Sequence, residues 1–288
     1  MSYMDTLLDD FVSFLKQEGA HHITTELCLR WATRIENTQP FTRALRLGII
    51  RQFAQYCADR DSRTQVPPRG LLPHLYRRKS PYIYNDEEVR RLVAAAKALP
   101  SEVGLLPYTY STLFGLIAAT GLRRSEALGL HRDDVDLRNR LLTIRWTKFG
   151  KSRLVPIHQS TQHALEVYAK RRDSTCPRPK DPNFFLSDSG ERPTASKVNK
   201  TFCAVSRNIG LRGPSDRHGP RLHDLRHTFA VRTLVRWYQA GADVDRHMPE
   251  LSTYLGQTCV TGTYWYISAV PELLRLAMRR VAQREVSP

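Results

Sequence analysis

The sequence predicts a mainly α-helical protein with one small antiparallel β-sheet, in which a small all-helical part precedes a larger part. Three observations support this fold class. Apolar residues recur at helical spacing through residues 1–62. Residues 66–82 hold several prolines and a basic triplet, a composition typical of a linker between domains. Two β-rich segments, 141–146 and 153–157, flank a short polar turn, which is the pattern of a hairpin.

The small part, residues 1–65, is predicted to contain only helices. Within it, residues 37–58 include no acid and carry Arg43, Arg46 and Arg51. A solvated helix face and a phosphate-contacting helix both explain these arginines, and the sequence leaves both interpretations open. In the linker that follows, Arg77, Arg78 and Lys79 form a basic triplet that can lie along a phosphate backbone.

The larger part, residues 83–288, is predicted to be helical around the hairpin. Asn85 followed by Glu88 has the pattern of a capping box and indicates a helix start. Residues 184–186 are expected to add an edge strand to the hairpin. The predicted helices cover residues 86–98, 110–120, 124–130, 160–172, 194–208, 224–240 and 271–286.

The charge of the chain indicates a polyanionic partner. There are 44 Lys and Arg residues against 28 Asp and Glu residues, for a net charge of +16. Residues 1–66 are neutral, so the remainder carries the whole excess. Nucleic acid is the first candidate for such a chain.

Other classes are disfavoured. The longest apolar run, 113–122, is short of the ~20 residues of a membrane-spanning helix. The N-terminus lacks the pattern of a secretory signal. Five scattered cysteines suggest no disulfide framework, so we expect a cytoplasmic protein without membrane contact.

Four segments carry residues that could perform chemistry. In Ala119–Leu130, Arg123 begins a helix after a Thr-Gly break, and Glu126 can reach back to hold it. Lys148 lies in the turn of the predicted hairpin. In Arg221–Ala230, His223 and Arg226 share one helix face. The segment Leu251–Ile267 offers three tyrosines, Tyr254, Tyr264 and Tyr266. Each segment alone has an ordinary structural explanation.

A zinc site is the alternative reading of the third segment. His223 and His227 are spaced i, i+4, as in zinc-binding helices. The residue after the first histidine is Asp224 where a metalloprotease helix has Glu, and Arg226 would place a cation beside the metal. We therefore expect no metal and no cofactor.

Together and in this order, the four segments resemble the tyrosine recombinases, the phage integrase family. Four sequence motifs carry the resemblance. They are Ala-Thr-Gly-Leu-Arg-Arg-Ser-Glu-Ala-Leu-Gly-Leu, Arg-Leu-Val-Pro-Ile, Leu-His-Asp-Leu-Arg-His-Thr-Phe-Ala and Leu-Ser-Thr-Tyr-Leu-Gly. The resemblance covers residues 83–288. The helical part before it resembles, less specifically, the SAM-like core-binding domain of the same family.

The resemblance implies a role for each residue of the set. Tyr266, nine residues after Gln257, would be the nucleophile, with Tyr264 as the alternative. Gln257 departs from the family, which usually has His or sometimes Trp after Leu-Gly. The other expected catalytic residues are Arg123, Lys148, His223 as proton acceptor, and Arg226, with Glu126 and His227 supporting them.

The implied function is that of a site-specific DNA recombinase or integrase, carried by a mobile element. It would cleave and rejoin strands through a 3′-phosphotyrosyl intermediate without metal or ATP. The partners would be double-stranded DNA at specific sites held in a C-shaped clamp, a tetramer formed through the helix at 271–286, and accessory or sister subunits. Two alternatives stay open: a catalytically weakened subunit that supports an active partner, and DNA relaxation of the type IB topoisomerase kind.

Overall fold

The chain folds into two compact units, residues Met1–Lys79 and Ser80–Pro288. The structure is a computed structural model, and it describes residues 3–73, 79–145, 152–216 and 218–286. The mainly helical fold with a small antiparallel sheet confirms the predicted fold class.

The described residues of the first unit form three helices, α1 (Tyr3–Gln17), α2 (Thr25–Thr33) and α3 (Pro40–Ala58). Helix α2 begins where the Thr24 hydroxyl accepts the Leu27 N–H, and α3 begins at Pro40, whose missing N–H costs nothing in a first turn. Phe11 and Trp31 are fully buried and pack edge to face, 5.3 Å between ring centroids. Each such burial contributes about 1.5–3 kcal/mol.

Nine α-helices follow in the described part of the second unit. Their bounds are α4 (Asp86–Lys97), α5 (Leu106–Thr120), α6 (Arg124–Gly129), α7 (Gln159–Thr175), α8 (Ala195–Asn208), α9 (Leu222–Gln239), α10 (Val244–Tyr254), α11 (Thr261–Ala269) and α12 (Pro271–Val286). The expected capping box opens α4: Asn85 and Glu88 each accept the other's backbone N–H. Helix α5 is central, with Leu113, Phe114 and Ile117 buried in the main core.

The sheet has three antiparallel strands in the order β1 (Val135–Asp136), β2 (Leu141–Ile144) and β3 (Arg153–Pro156). The β2–β3 pairing, in which Leu142 faces Val155, confirms the predicted hairpin. The predicted edge strand at 184–186 is wrong, and β1 takes that place. Phe184, Phe185 and Leu186 are all fully buried. In the described part of the chain, this segment pairs with the chain beside it only through an isolated bridge between His131 and Asn183 and the bond from the Phe184 N–H to the Leu130 carbonyl, so it does not join the ladder of the sheet.

The sequence analysis did not predict two of the helices, α10 and α11. Their region is rich in Gly and Thr, which have low helix propensity, so packing decides their conformation. Leu251 and Tyr266 are buried in a core cluster that also includes Val231 of α9. None of the helices within the described ranges is long and apolar enough to cross a membrane.

Candidate active site

The C-terminal end of α10 binds three arginines that come from three other places in the chain. Its last carbonyls have no partner within the helix and carry partial negative charge. Three successive carbonyls each accept one guanidinium hydrogen bond. The pairs are Arg153 Nε with Tyr254 (2.9 Å), Arg226 Nη2 with Leu255 (2.7 Å) and Arg123 Nη2 with Gly256 (2.9 Å).

A buried carboxylate links two of these arginines. Glu126 Oε1 accepts from Arg123 Nη1 at 2.7 Å, and its Oε2 accepts the Arg123 backbone N–H at 2.9 Å, as the sequence predicted. Arg153 forms two further bonds to the same carboxylate, at 3.1 and 2.9 Å. Burial alone would raise the pKa of Glu126, but the hydrogen bonds from Arg153 and Arg123 outweigh it and hold the pKa below its ordinary value. Glu126 is therefore an anion.

Arg226 is the most deeply buried of the three guanidinium groups, with 3% of the residue exposed. Its Nη1 donates to the Gly121 carbonyl at 2.7 Å. Desolvation, followed by repulsion from Arg123, lowers the pKa of Arg226 to about 10, so it stays charged at neutral pH. The arginine cluster (Arg123, Arg153, Arg226 and Glu126) thus holds three cations against one anion, a net charge of two.

Two glycines give the backbone the path that this cluster needs. Gly121 and Gly256 both have a φ of +63°, which side chains other than glycine's rarely adopt. A Cβ on Gly121 would lie 2.7 Å from the Phe229 ring, and a Cβ on Gly256 would lie 2.6 Å from Arg153 Cζ. Each glycine also provides the carbonyl that holds one arginine.

Helix α9 carries the two histidines. His223, in the first turn, is exposed. Loss of hydration, followed by repulsion from Arg226, lowers the pKa of His223 to about 4, so it is neutral at pH 7. His227 lies one turn later and is buried, with its ring centroid 4.7 Å from that of His223.

Tyr266 on α11 meets the second histidine. Its hydroxyl oxygen lies 2.8 Å from His227 Nδ1, and Tyr266 is 1% exposed. The Tyr266 ring also packs against that of His227, 5.5 Å between ring centroids, and His227 directly follows Arg226 on α9. Tyr264 is 41% exposed, and its hydroxyl donates to Asp245 at 3.1 Å. The structure therefore brings Tyr266, and not Tyr264, to the arginines.

Gln257 directly follows the carbonyls that hold the arginines. It is half-buried, and its Oε1 accepts the hydroxyl hydrogen of the buried Thr263 at 2.7 Å. With the oxygen engaged, the amide nitrogen of Gln257 is left as the donor. His227, Tyr266, Gln257 and Thr263 are called the tyrosine cluster below.

A basic recess of about 560 Å³ opens beside the arginine cluster, and Arg123 and His223 are part of its wall. Sequence reasoning missed three arginines in this wall. They are Arg124, Arg212 and Arg221. It also missed Arg153, although the Arg-Leu-Val-Pro-Ile segment begins there. The described residues hold no group of three or more His, Cys, Asp or Glu that could bind a metal ion.

The predicted DNA-binding arginines of the first unit have mixed positions. The expectation for Arg46 is wrong: it is 5% exposed and stacks on Trp31, 3.9 Å from the ring centroid, with Asp10 at 3.6 Å. Arg51 donates to the Pro67 and Pro68 carbonyls, both at 2.7 Å. Arg43 is half-buried and Lys79 is exposed. Arg77, Arg78 and Lys148 lie outside the described residues.

Comparison with known proteins supports the geometry. Residues 83–267 match the phage integrase family. The integrase/recombinase y4rB of Sinorhizobium fredii is 50% identical over 96% of this chain and 90% of its own length. The tyrosine recombinase XerD of Caulobacter vibrioides is 29% identical over 82% of this chain and 73% of its own.

The fold also resembles that of solved structures. The Tn1549 transposon integrase in complex with circular intermediate DNA superposes with a TM-score of 0.68 at 19% identity. The match covers 98% of this chain and 94% of that one, so it extends over both units.

Proposed function

The chain belongs to the phage integrase family, and we propose that Tyr266 is the nucleophile with which this tyrosine-type site-specific recombinase cleaves DNA. One observation carries the assignment. The phenol of Tyr266 is buried against His227, the residue after Arg226 on α9, and the guanidinium groups of Arg226 and Arg123 bind neighbouring carbonyls at the end of α10. A nucleophile and two forked cations in one place are what phosphoryl transfer to a protein oxygen requires.

The arginine cluster matches the charge of the reaction. A phosphodiester carries one negative charge, and attack by a tyrosine oxygen builds a five-coordinate transition state with two. We propose that Arg123 and Arg226 donate to the non-bridging oxygens. The net charge of two in the cluster then equals the charge to be neutralised. Loss of one such donor typically costs about 3 kcal/mol of barrier.

Two further roles follow the resemblance: Lys148 would protonate the leaving 5′-oxygen, and Gln257 would donate to the phosphate. For His223, donation to the phosphate replaces the proton-acceptor role that the resemblance implies, because the Tyr266 hydroxyl contacts His227 instead. The 3′-phosphotyrosyl bond keeps the energy of the broken linkage, so the strands can be rejoined without ATP. The arginines supply the charge that a metal ion supplies elsewhere, so the proposal includes no metal.

The weakened-subunit alternative depends on Gln257 alone. The described site retains Arg123, Arg226 and Tyr266, and Gln257 keeps a donor. We therefore favour an active enzyme. The names of its relatives, an integrase/recombinase and a transposon integrase, support a role in moving a mobile element.

We further propose that the unit Met1–Lys79 binds double-stranded DNA as a core-binding domain. Its contacts would come from Arg43 and Arg51 of α3 and from the basic segment that ends at Lys79. The recombination site itself would be read by both units, as one protein bound at each half of a specific sequence.

A tetramer on paired sites would form through α12. Leu273 of this helix is buried in its own unit, whereas Leu274, Met278 and Val281 are exposed at i, i+4 and i+7. This apolar stripe is the proposed contact with a neighbouring protomer.

Covalent trapping tests the nucleophile. With a nicked suicide substrate made from the DNA that flanks its gene, the wild-type protein should form a protein–DNA adduct. Tyr266→Phe should form none while binding DNA normally, because only the attacking oxygen is lost. Tyr264→Phe is the matched control and should form adduct. The opposite result for the two variants would place the nucleophile at Tyr264.

Charge placed on the α12 stripe tests the tetramer. Leu274→Glu with Met278→Glu should leave single-site binding unchanged and abolish assembly and recombination of paired sites in a band-shift assay. Leu273→Ala is the contrasting variant. The cavity that it leaves in the core should lower the free energy of unfolding by about 2–5 kcal/mol. If the double variant precipitates or loses single-site binding, the stripe belongs to its own fold.

A further inference from the structure

The histidine that contacts the tyrosine oxygen is not the one expected from the sequence. The Tyr266 hydroxyl oxygen lies 2.8 Å from His227 Nδ1, within hydrogen-bond distance. His227 is 5% exposed and Tyr266 is 1% exposed. His223 lies one helical turn earlier and is exposed. The rings of His223 and His227 pack edge to face.

The contact suits a proton transfer. A phenol has an ordinary pKa of about 10, so attack at neutral pH requires that its proton be removed as the new bond forms. A proton acceptor must lie within about 2.6–3.2 Å of the donor oxygen. A neutral imidazole that carries its hydrogen on Nε2 offers Nδ1 as this acceptor.

Burial gives the histidine an advantage over water as the acceptor. Both partners are almost fully enclosed, between α9 and α11, with the Trp265 ring 5.9 Å from His227. His227 Nδ1, which lies 2.8 Å from the Tyr266 oxygen, is therefore placed to accept the proton that leaves Tyr266 in this enclosure.

The neighbouring charges decide when the transfer occurs. Arg226 directly precedes His227 on α9 and binds the end of α10 together with Arg123, so the site carries positive charge before DNA binds. A bound phosphodiester brings one negative charge, and the transition state brings a second. This negative charge favours the protonated form of His227, so we expect activation of the nucleophile to be coupled to occupancy by DNA.

We propose that His227 is a further catalytic residue, the general base that takes the proton of Tyr266. In cleavage, the proton moves from the Tyr266 oxygen to Nδ1, and an oxygen lone pair forms the bond to phosphorus. The bond from phosphorus to the 5′-oxygen breaks, and that oxygen takes a proton from the general acid. In religation, the 5′-hydroxyl returns its proton to the deprotonated general acid as its oxygen attacks phosphorus. The bond from phosphorus to the Tyr266 oxygen breaks, and that oxygen recovers its proton from His227. The inference rests on the proposed nucleophile.

The same hydrogen bond could instead hold Tyr266 away from the phosphate. The two roles predict opposite changes. Removal of a base slows cleavage, whereas removal of a restraint leaves it unchanged or speeds it.

The test measures single-turnover cleavage of a suicide substrate at saturating DNA. His227→Asn keeps an acceptor near Nδ1 but cannot take a proton, and His223→Asn is the matched variant on the same helix. We expect His227→Asn to slow cleavage by about 10²–10⁴-fold, the usual contribution of a general base. DNA affinity and the melting temperature report whether the fold is intact.

Replacement of Tyr266 by 3-fluorotyrosine separates a base from a structural residue. The more acidic phenol needs less help, so the defect of His227→Asn should shrink by about tenfold or more, while that of His223→Asn should not change. Unaltered or faster cleavage by His227→Asn overturns the proposal, as does a defect that fluorination leaves constant. If Tyr266→Phe still forms adduct, the nucleophile assignment fails first, and that outcome is distinct.

Discussion

The arginine cluster and the tyrosine cluster are held in place by different kinds of partner. Each arginine donates to a main-chain carbonyl, at Gly121 or at the three successive residues that begin with the last one of α10. Tyr266 and Gln257 are held by side chains, His227 and Thr263. Carbonyls are present whatever the sequence, so the arginine cluster depends on the path of the backbone and has one side-chain partner, Glu126, besides. The tyrosine cluster depends on the identity of particular pairs.

This difference explains where the site tolerates change. A side-chain pair can be rebuilt with another residue of similar length, and Gln257 is such a replacement for the histidine usual in the family. The arginine cluster has less freedom, because Arg226 is buried and Arg153 nearly so, and buried cations need every acceptor they have. The departures from the family are therefore expected in the tyrosine cluster.

The largest effect should come from removing an arginine. We expect Arg123→Ala or Arg226→Ala to slow cleavage by about 100-fold or more, since each removes a donor to the transition state. Single-turnover cleavage at saturating DNA measures the change. Non-specific affinity should change little, because 44 Lys and Arg residues share that task.

A second variant tests the same prediction if Arg226→Ala fails to fold. Arg226 also joins α9 to the Gly121 and Leu255 carbonyls, so Arg226→Lys, which keeps the charge without the fork, should fold and still cleave slowly. A large loss of affinity with intact cleavage would show that these arginines serve binding and not chemistry.

A glycine substitution tests the dependence on backbone path. Gly256→Ala would strain a φ of +63° and push a methyl group into the Arg153 guanidinium. Gly210→Ala is the matched control, because its φ is +74° with nothing within 4 Å of the added carbon. Both should lose about 1–2 kcal/mol of stability from strain. Gly256→Ala alone should also lower the cleavage rate, by about tenfold or more. Equal cleavage by the two variants would contradict the proposed role of the path.

Sequence patterns predicted the parts of the site that local chemistry determines. Glu126 reaches back to Arg123 because a residue three positions into a helix faces its start. The β2–β3 hairpin and most helices were likewise visible as periodicity. Tyr266 could be separated from Tyr264 only by its spacing from Gln257. In the structure Tyr266 is buried against His227 and Tyr264 is exposed, while the choice of nucleophile stays a prediction.

The rest depends on contacts between distant parts of the chain. Arg153 and Glu126 are 27 residues apart, and Arg226 and Gly121 are 105 apart, so no local pattern links them. The sequence around Arg46 looks the same as that around a phosphate-binding arginine. In the fold, however, its side chain points inward, stacks on Trp31 and pairs with Asp10. Helices α10 and α11 form from weak helix formers because their apolar residues complete a core.

The smallest effect should come from Gln257, and it tests whether the tyrosine cluster works through pairs. Its Oε1 is engaged by Thr263, so the amide N–H groups are left as the donors that we propose for the phosphate. A hydrogen bond of this kind contributes about 0.5–1.5 kcal/mol, so Gln257→Ala should slow cleavage by up to about tenfold. Gln257→His should cleave as fast as the wild type or faster, because a cationic imidazole donates more strongly. Thr263→Val frees the amide to rotate and should slow cleavage less than Gln257→Ala does. In the Gln257→Ala background the Thr263→Val change should have no further effect, since the pair is already broken. Cleavage rates that fall independently for the two substitutions would mean that Thr263 does not act through Gln257.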